Sequence, residues 1–372
     1  MSSYPLMKLG GTLEWERGMK TLSFLFSTQR ESGFFPGVID AQGKTYGDGF
    51  DTPGTERWHL IRKSAEVLYF LFKHFDLMEE RNTTIPETFR TGAKKTADGF
   101  VRLWQKYGQF GQFVDVETGE LRVDGSTCAA IAPAALAKAF LFFGEPVYLQ
   151  TAQESAQAYL QRDLRRGYTM GAPGEILQCP DSESAFGLLE SFVILYETTG
   201  EHKWLQAASA CTHYCASWVT AYNYRFPEQS EFARLGIKTT GSVFANAQNK
   251  HSAPAVCTLS GDSLVKLWEW TGNPLYREPA EDVVLTPGQY LSTGDRPIYD
   301  WDLTPEERET GDLSVLARHC LSEGFMCERV NLSDWEGEAC IGGVFNGSCW
   351  CETSNLLAIA EAAPRIKKQK AK

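Results

Sequence analysis

A chain of 372 residues with 43% apolar and 22% charged residues can bury one large core or two to three smaller ones, which excludes disordered and fibrous classes. Its apolar stretches are too short to cross a bilayer, so no membrane partner is expected. The 36 basic and 47 acidic residues leave a formal charge of -11, which argues against nucleic acid as a partner. Ten cysteines without a signal-like N-terminus predict free thiols or metal ligands in a reducing cytoplasm; a periplasmic or secreted location is expected if a signal peptide has been removed.

In chain order, helical periodicity dominates. Residues 12–29 carry apolar positions at three- and four-residue steps. So do residues 56–77, through Leu60, Ile61, Val67, Leu68, Leu71 and Phe72. Helices are predicted over 86–106, where Pro86 suits a first turn, and over 128–143, 147–165, 182–198, 202–221, 257–271, 274–285 and 352–362. Strand-like alternation is scarce, and one short hairpin is predicted at Val114–Val123 around the turn DVETGEL. The basic end, about 364–372, reads as a disordered, solvated tail.

Three segments share one grammar: an apolar helix end, a Gly turn, then Tyr or Trp entering the next helix. They are FFGEPVYLQTA (142–152), TTGEHKWLQAA (198–208) and WTGNPLYREPA (270–280). Gly144, Gly200 and Gly272 suit the left-handed position after a helix end, and the residues that follow suit a new start. Each is an αα-hairpin turn. The connections between hairpins (30–55, 107–127, 166–181, 222–256 and 292–351) are long and irregular, and all fall on one face. This favours a closed α-toroid over an open solenoid, as a single domain spanning 1–372 with its loops gathered around one pocket.

The turns, with the phrases GEILQCPDSESAFGLLESF (174–192), ANAQNKHSAP (245–254), ERVNLSDWEG (328–337) and GSCWCE (347–352), resemble the six-hairpin glycosidase superfamily over nearly the whole chain. The resemblance implies an all-α (α/α)6 barrel. Among the superfamily's members are unsaturated uronyl hydrolases, cysteine-dependent arabinofuranosidases and the β-glucuronidases of glycoside hydrolase family 154, the last being the most similar in impression.

Several constellations suit carbohydrate chemistry. Asp181 and Glu183 open the helix at 182–198, where a ring of inner-helix N-termini would present both to a cleft; glycoside hydrolysis needs such a carboxyl pair. A capped helix with a first-turn acid explains either residue equally well. Glu328, Arg329, Asp334, Trp335 and Glu336 interleave acids, a guanidinium and an indole on a loop, a mixture that suits sugar binding. Asn249, Lys250 and His251 form a polar run before a helix, suited to a uronate carboxylate or to proton transfer. Gln112 lies in a Gly-punctuated turn where an amide suits hydroxyl groups, and Trp350 can stack on sugar. Cys340, Cys349 and Cys351 with Glu352 have the chemistry of a zinc site. The arabinofuranosidases are similar in using three thiols and a Glu, but Cys349-Trp350-Cys351 departs from their adjacent cysteines, and no cofactor is the main expectation.

The expectation is an exo-acting glycoside hydrolase on a uronate-containing glycan or oligosaccharide. One of Asp181 and Glu183 would donate the proton, and Glu328, Asp334 or Glu336 would activate water or attack. Alternatives are a polysaccharide lyase, an unsaturated uronyl hydrolase, a zinc- and cysteine-dependent arabinofuranosidase-like enzyme, and a non-enzymatic carbohydrate-binding scaffold.

Overall fold

The computed structural model describes residues 1–49, 52–171, 178–247, 251–254, 259–299, 304–310, 312–331, 341–345 and 350–370. The described chain groups into two compact units, Met1–Tyr214 and Cys215–Lys372.

The first unit is built from antiparallel helix pairs. α1 (Ser3–Leu9) packs on α2 (Thr12–Ser27), α3 (Ile61–Glu80) on α4 (Glu87–Tyr107), α5 (Ala132–Phe143) on α6 (Pro146–Arg162), and α7 (Ser182–Thr199) is followed by α8 (His202–Ala216). α5 lies against both α3 and α7, while α4 lies against α6, so the helices alternate between two layers. Burial follows the layers. α3, α5 and α7 bury most of their residues, including Leu68, Phe72, Leu136, Leu188 and Phe192, whereas α4 and α6 keep polar faces. The turns work as the sequence grammar requires. Gly144 and Gly200 sit at φ +74° and +68°, and their N–H groups donate to Phe140 O and Tyr196 O, closing α5 and α7.

Two differences in this unit bear on the site. The helix expected from residue 56 starts at Ile61, because β3 (Trp58–Leu60) is drawn into a three-stranded antiparallel sheet. β3 pairs with β4 (Phe113–Asp115), and β4 with β5 (Leu121–Val123), the expected hairpin. A two-stranded ribbon, β1 (Val38–Ile39) with β2 (Thr45–Tyr46), precedes it.

In the second unit, α9 (Glu231–Leu235) is followed by a four-stranded antiparallel sheet. Its members are β6 (Ser242–Phe244), β7 (His251–Pro254), β8 (Arg329–Asn331) and β9 (Val344–Phe345), in that order. A core of Phe232, Ile237, Tyr290, Ile298, Leu321, Met326, Cys327 and Val344 forms in this unit. α10 (Asp262–Thr271) ends at Gly272, φ +66°, the third turn of the shared grammar, and leads to α11 (Arg277–Leu285). α12 (Pro305–Glu309) and α13 (Leu313–His319) lie in the long connection. α14 (Trp350–Leu357) continues through a π-helical turn at Ala358–Ala362 into α15 (Ala363–Lys370). The expected disordered tail is therefore helical up to Lys370. Ile366 is buried, and Arg365 Nη1 reaches Glu269 Oε2 at 2.9 Å.

One inner-layer histidine makes acid stability measurable. His74 on α3 is buried; its Nδ1–H donates to Phe70 O at 2.6 Å, which leaves Nε2 to accept from Ser3 Oγ at 3.0 Å. Burial pushes its pKa down to about 3. The unfolded chain takes up this proton near pH 6.5 and the folded chain does not, so stability present above about pH 6.5 is lost progressively as pH falls toward 3. The slope reaches about 1.4 kcal/mol per pH unit from this one group. Urea midpoints measured between pH 7 and pH 4 should fall steeply for the native chain and less steeply for His74→Gln.

Candidate active site

The phrase Cys179-Pro180-Asp181-Ser182-Glu183 does two jobs. Asp181, extended at φ −149°, is the cap of α7. Its carboxylate accepts from Ser184 N at 2.6 Å, and its backbone is held on both sides by Thr169. The side chain is fully buried. Glu183, in the first turn, points elsewhere. Its Oε2 lies 3.3 Å from Arg62 Nη1, and the same nitrogen donates to Glu66 Oε1 at 3.0 Å.

Arg62 is in the first turn of α3. That start is fixed by Ile61 N, which donates to Gln112 O at 3.0 Å, while Gln112 N donates to Val123 O at 2.8 Å. Gln112 is thus buried beside the site and ties the sheet to the beginning of α3. Arg62, Glu183 and Glu66 have side chains 7%, 10% and 21% exposed. Burial works against the guanidinium charge, but the carboxylates of Glu183 and Glu66 outweigh it and raise the pKa. The two carboxylate oxygens share a nitrogen at 3.0 and 3.3 Å, so they cannot be farther apart than those distances combined.

A second rung lies deeper. The hydroxyl of Tyr69 donates to Glu190 Oε1, and both are buried. From Arg62 to Tyr69 and from Glu183 to Glu190 the step is seven residues, two helical turns on each helix. α3 and α7 therefore run in the same direction, and long polar side chains span the space between them. Cys128, beside Arg62, stays a thiol, because burial pushes its pKa up to about 12 despite the neighbouring guanidinium.

Just before α3, His59 Nδ1 meets Asp48 Oδ2 at 3.1 Å and His59 Nε2 meets Ser64 Oγ at 2.7 Å. This has the connectivity of a hydrolase triad, but all three residues are buried. Lys63 Nζ also reaches Asp48, and Leu60 N donates to it at 2.9 Å. Burial opposes ionisation of Asp48, yet His59 and Lys63 hold its pKa at about 2. The arrangement is a strut that pins the β3–α3 junction.

In the second unit, Glu328 is half-buried and immediately precedes β8, while Glu352 lies in the first turn of α14. Burial raises the Glu352 pKa, and the charge of Glu328 raises it further, favouring the protonated form. His251 and Arg329 fall on neighbouring strands, His251 opposite Asn331 and Arg329 opposite Phe345, and Trp350 is the first residue of α14. Asn249, Lys250, Asp334, Trp335, Glu336, Cys340 and Cys349 lie outside the described residues, as do the side chains of His251, Arg329, Trp350 and Cys351. The zinc expectation therefore falls mostly on residues that are not described; among the described residues no group of three or more His, Cys, Asp or Glu is placed to hold a metal ion.

Sequence reasoning missed Arg62 and Glu66. The available signal was an Arg and a Glu four apart in the first turns of a helix with a long apolar stretch, a pair worth little on a surface but meaningful where the helix is buried.

No protein-family profile matches the chain, and no curated protein matches its sequence. Solved structures do match. A GH76 α-mannanase of Bacteroides thetaiotaomicron is 12% identical, with 100% of this chain and 85% of that one aligned at a TM-score of 0.59. A cellobiose 2-epimerase of Bacillus thermoamylovorans is 9% identical, with 97% and 86% aligned at 0.60. A GH127 β-arabinofuranosidase is 12% identical, with 98% of this chain and 50% of that one aligned at 0.51. The fold is the all-α (α/α)6 toroid expected from the hairpin turns, with more short antiparallel strands than the single hairpin the sequence suggested. Among the described residues no helix is long and apolar enough to cross a membrane.

Proposed function

We propose that the chain is a glycoside hydrolase that works through paired carboxyl groups on a glycan or oligosaccharide. The observation that carries this is the Glu183–Arg62–Glu66 cluster: two carboxylates at the starts of two inner-layer helices, held together by one guanidinium. A carboxylate held there can meet the positive charge that develops at an anomeric carbon in the transition state. The Arg62 guanidinium beside Glu183 suits that carboxylate to nucleophilic or electrostatic assistance. The likeness to a mannanase and an arabinofuranosidase supports a carbohydrate substrate. The finer reading is exo action on a uronate-containing glycan.

The likeness to an epimerase gives the main rival. Epimerisation needs a base that removes a proton from carbon; of the described imidazoles, His59 on β3 and His74 on α3 are both buried in hydrogen bonds. The test is a panel of nitrophenyl glycosides, with glucuronide, mannoside and arabinofuranoside included, run beside cellobiose followed by NMR. Release of nitrophenol, greatest from the glucuronide, is expected. Epimerised cellobiose without nitrophenol release would make the protein an epimerase. An ultraviolet-absorbing unsaturated product from a polyuronate would make it a lyase, and inactivity across all of these would favour a binding scaffold.

A further inference from the structure

In the first unit a separate open cleft of about 530 Å³ is lined by Tyr107, Gln109, Leu121, Arg122, Val123 and Asp124. It lies along β5, the edge strand of the three-stranded sheet, where the chain leaves α4.

The polar groups here are held in place. Arg122 Nη2 donates to Asp115 Oδ2 at 2.7 Å, and Arg57 donates to the other oxygen at 2.5 Å. Asp115 is buried; burial opposes its ionisation, but Arg122, the Thr118 N–H and Arg57 hold its carboxyl well below the usual range. It is thus a fixed anion that aims an exposed arginine, which keeps further N–H donors for a ligand. Gln109 accepts from Gly125 N at 2.8 Å through Oε1, so its amide NH2 remains as a donor. Tyr107 is fixed by its hydroxyl, which donates to Glu120, and Lys106 lies 5.2 Å from the centre of its ring. Asp124 is exposed, and its carboxylate is an acceptor.

Charge selects the ligand class. Among the described residues around the cleft, three cations (Arg57, Arg122 and Lys106) meet three carboxylates (Asp115, Glu120 and Asp124), and Lys106 is paired with Glu120 at 2.6 Å. The field is balanced, so neither an anion nor a cation is favoured. What remains is a ring of donors and acceptors beside two aliphatic side chains and a tyrosine. A pyranose presents the same alternation, with hydroxyls at its rim and C–H groups on its faces.

We infer that this cleft binds a neutral hexose unit of a glycan, through the Arg122 guanidinium, the Gln109 amide and the Asp124 carboxylate. The assignment rests on the carbohydrate reading of the chain but not on the carboxyl cluster at Arg62.

The experiment is a calorimetric and NMR titration of the full chain with mannobiose, cellobiose and glucuronic acid. Millimolar binding of at least one neutral disaccharide is expected, with glucuronic acid at least tenfold weaker. Asp124→Asn, an exposed change that leaves the fold intact, should weaken the neutral sugar about tenfold, and Arg122→Ala should do so more strongly. Thermal melts identify any Arg122 variant that loses affinity by unfolding. Preference for glucuronic acid, or neutral-sugar binding unmoved by Asp124→Asn, overturns the assignment. Hydrolysis of glycosides without any such binding would sink the cleft and leave the proposed activity standing.

Discussion

Glu183→Gln should lower kcat on the best glycoside by roughly 10²–10⁴, with the fold intact. The substitution keeps the shape of the side chain and removes its charge. Arg62 retains Glu66 at 3.0 Å, so the guanidinium is left with one carboxylate rather than none, and no buried charge is orphaned. The expected cost in stability is therefore small, about 1–2 kcal/mol. Asp181→Asn is the matched comparison. Asn caps a helix about as well as Asp, and Asp181 is fully buried in that role, so both melting temperature and turnover should stay near normal. Turnover and thermal melts of the two variants decide the matter. Normal turnover in Glu183→Gln would place the chemistry elsewhere, with Glu352 and its raised pKa as the next carboxyl to replace.

Arg62→Met should have the largest effect on stability. It leaves the Glu66 and Glu183 carboxylates side by side and mostly buried without the Arg62 guanidinium, a situation that costs about 3–5 kcal/mol. The sign of the pH dependence is diagnostic. Two neighbouring carboxylates that lose the Arg62 cation raise each other's pKa, so one holds a proton more readily. Stability gained from that proton is present at low pH and lost as pH rises through the raised pKa. The gap in urea midpoint between native and variant chains should therefore be wide at pH 7 and narrower at pH 5. A gap that is constant with pH would mean that Arg62 contributes packing rather than charge.

The parts of this molecule that were legible in the sequence are those with local causes. Gly144, Gly200 and Gly272 could be placed at helix ends because a left-handed residue after an apolar helix leaves few alternatives to glycine, and all three adopt that conformation. Asp181 could be read as a cap from its neighbours alone. The start of α3 could not: Trp58–Leu60 satisfy a helical apolar pattern as well as a strand, and only pairing with Phe113–Asp115, more than fifty residues away, decides between them. The sheet from Ser242 to Phe345 was hidden for the same reason, since its strands are two to four residues long and carry no measurable alternation. The candidate site was half visible. Glu183 announced itself by its place at a helix mouth. Arg62 and Glu66 lie more than a hundred residues away in sequence, and only the packing of α3 brings them to it.

The π-helical turn at Ala358–Ala362 has a mechanical consequence for the end of the chain. An α-helix advances about 100° per residue, and a wide turn accommodates roughly one residue more than an α-turn does. Everything after it is rotated about the axis by about that angle relative to an uninterrupted helix. α15 is thereby phased so that Arg365 meets Glu269 of α10 at 2.9 Å and Lys370 meets Glu281 of α11 at 3.4 Å. The turn acts as a phase shifter that sets the azimuth of a lysine-rich segment, converting what composition alone reads as a loose cationic end into a latch against two acidic helices.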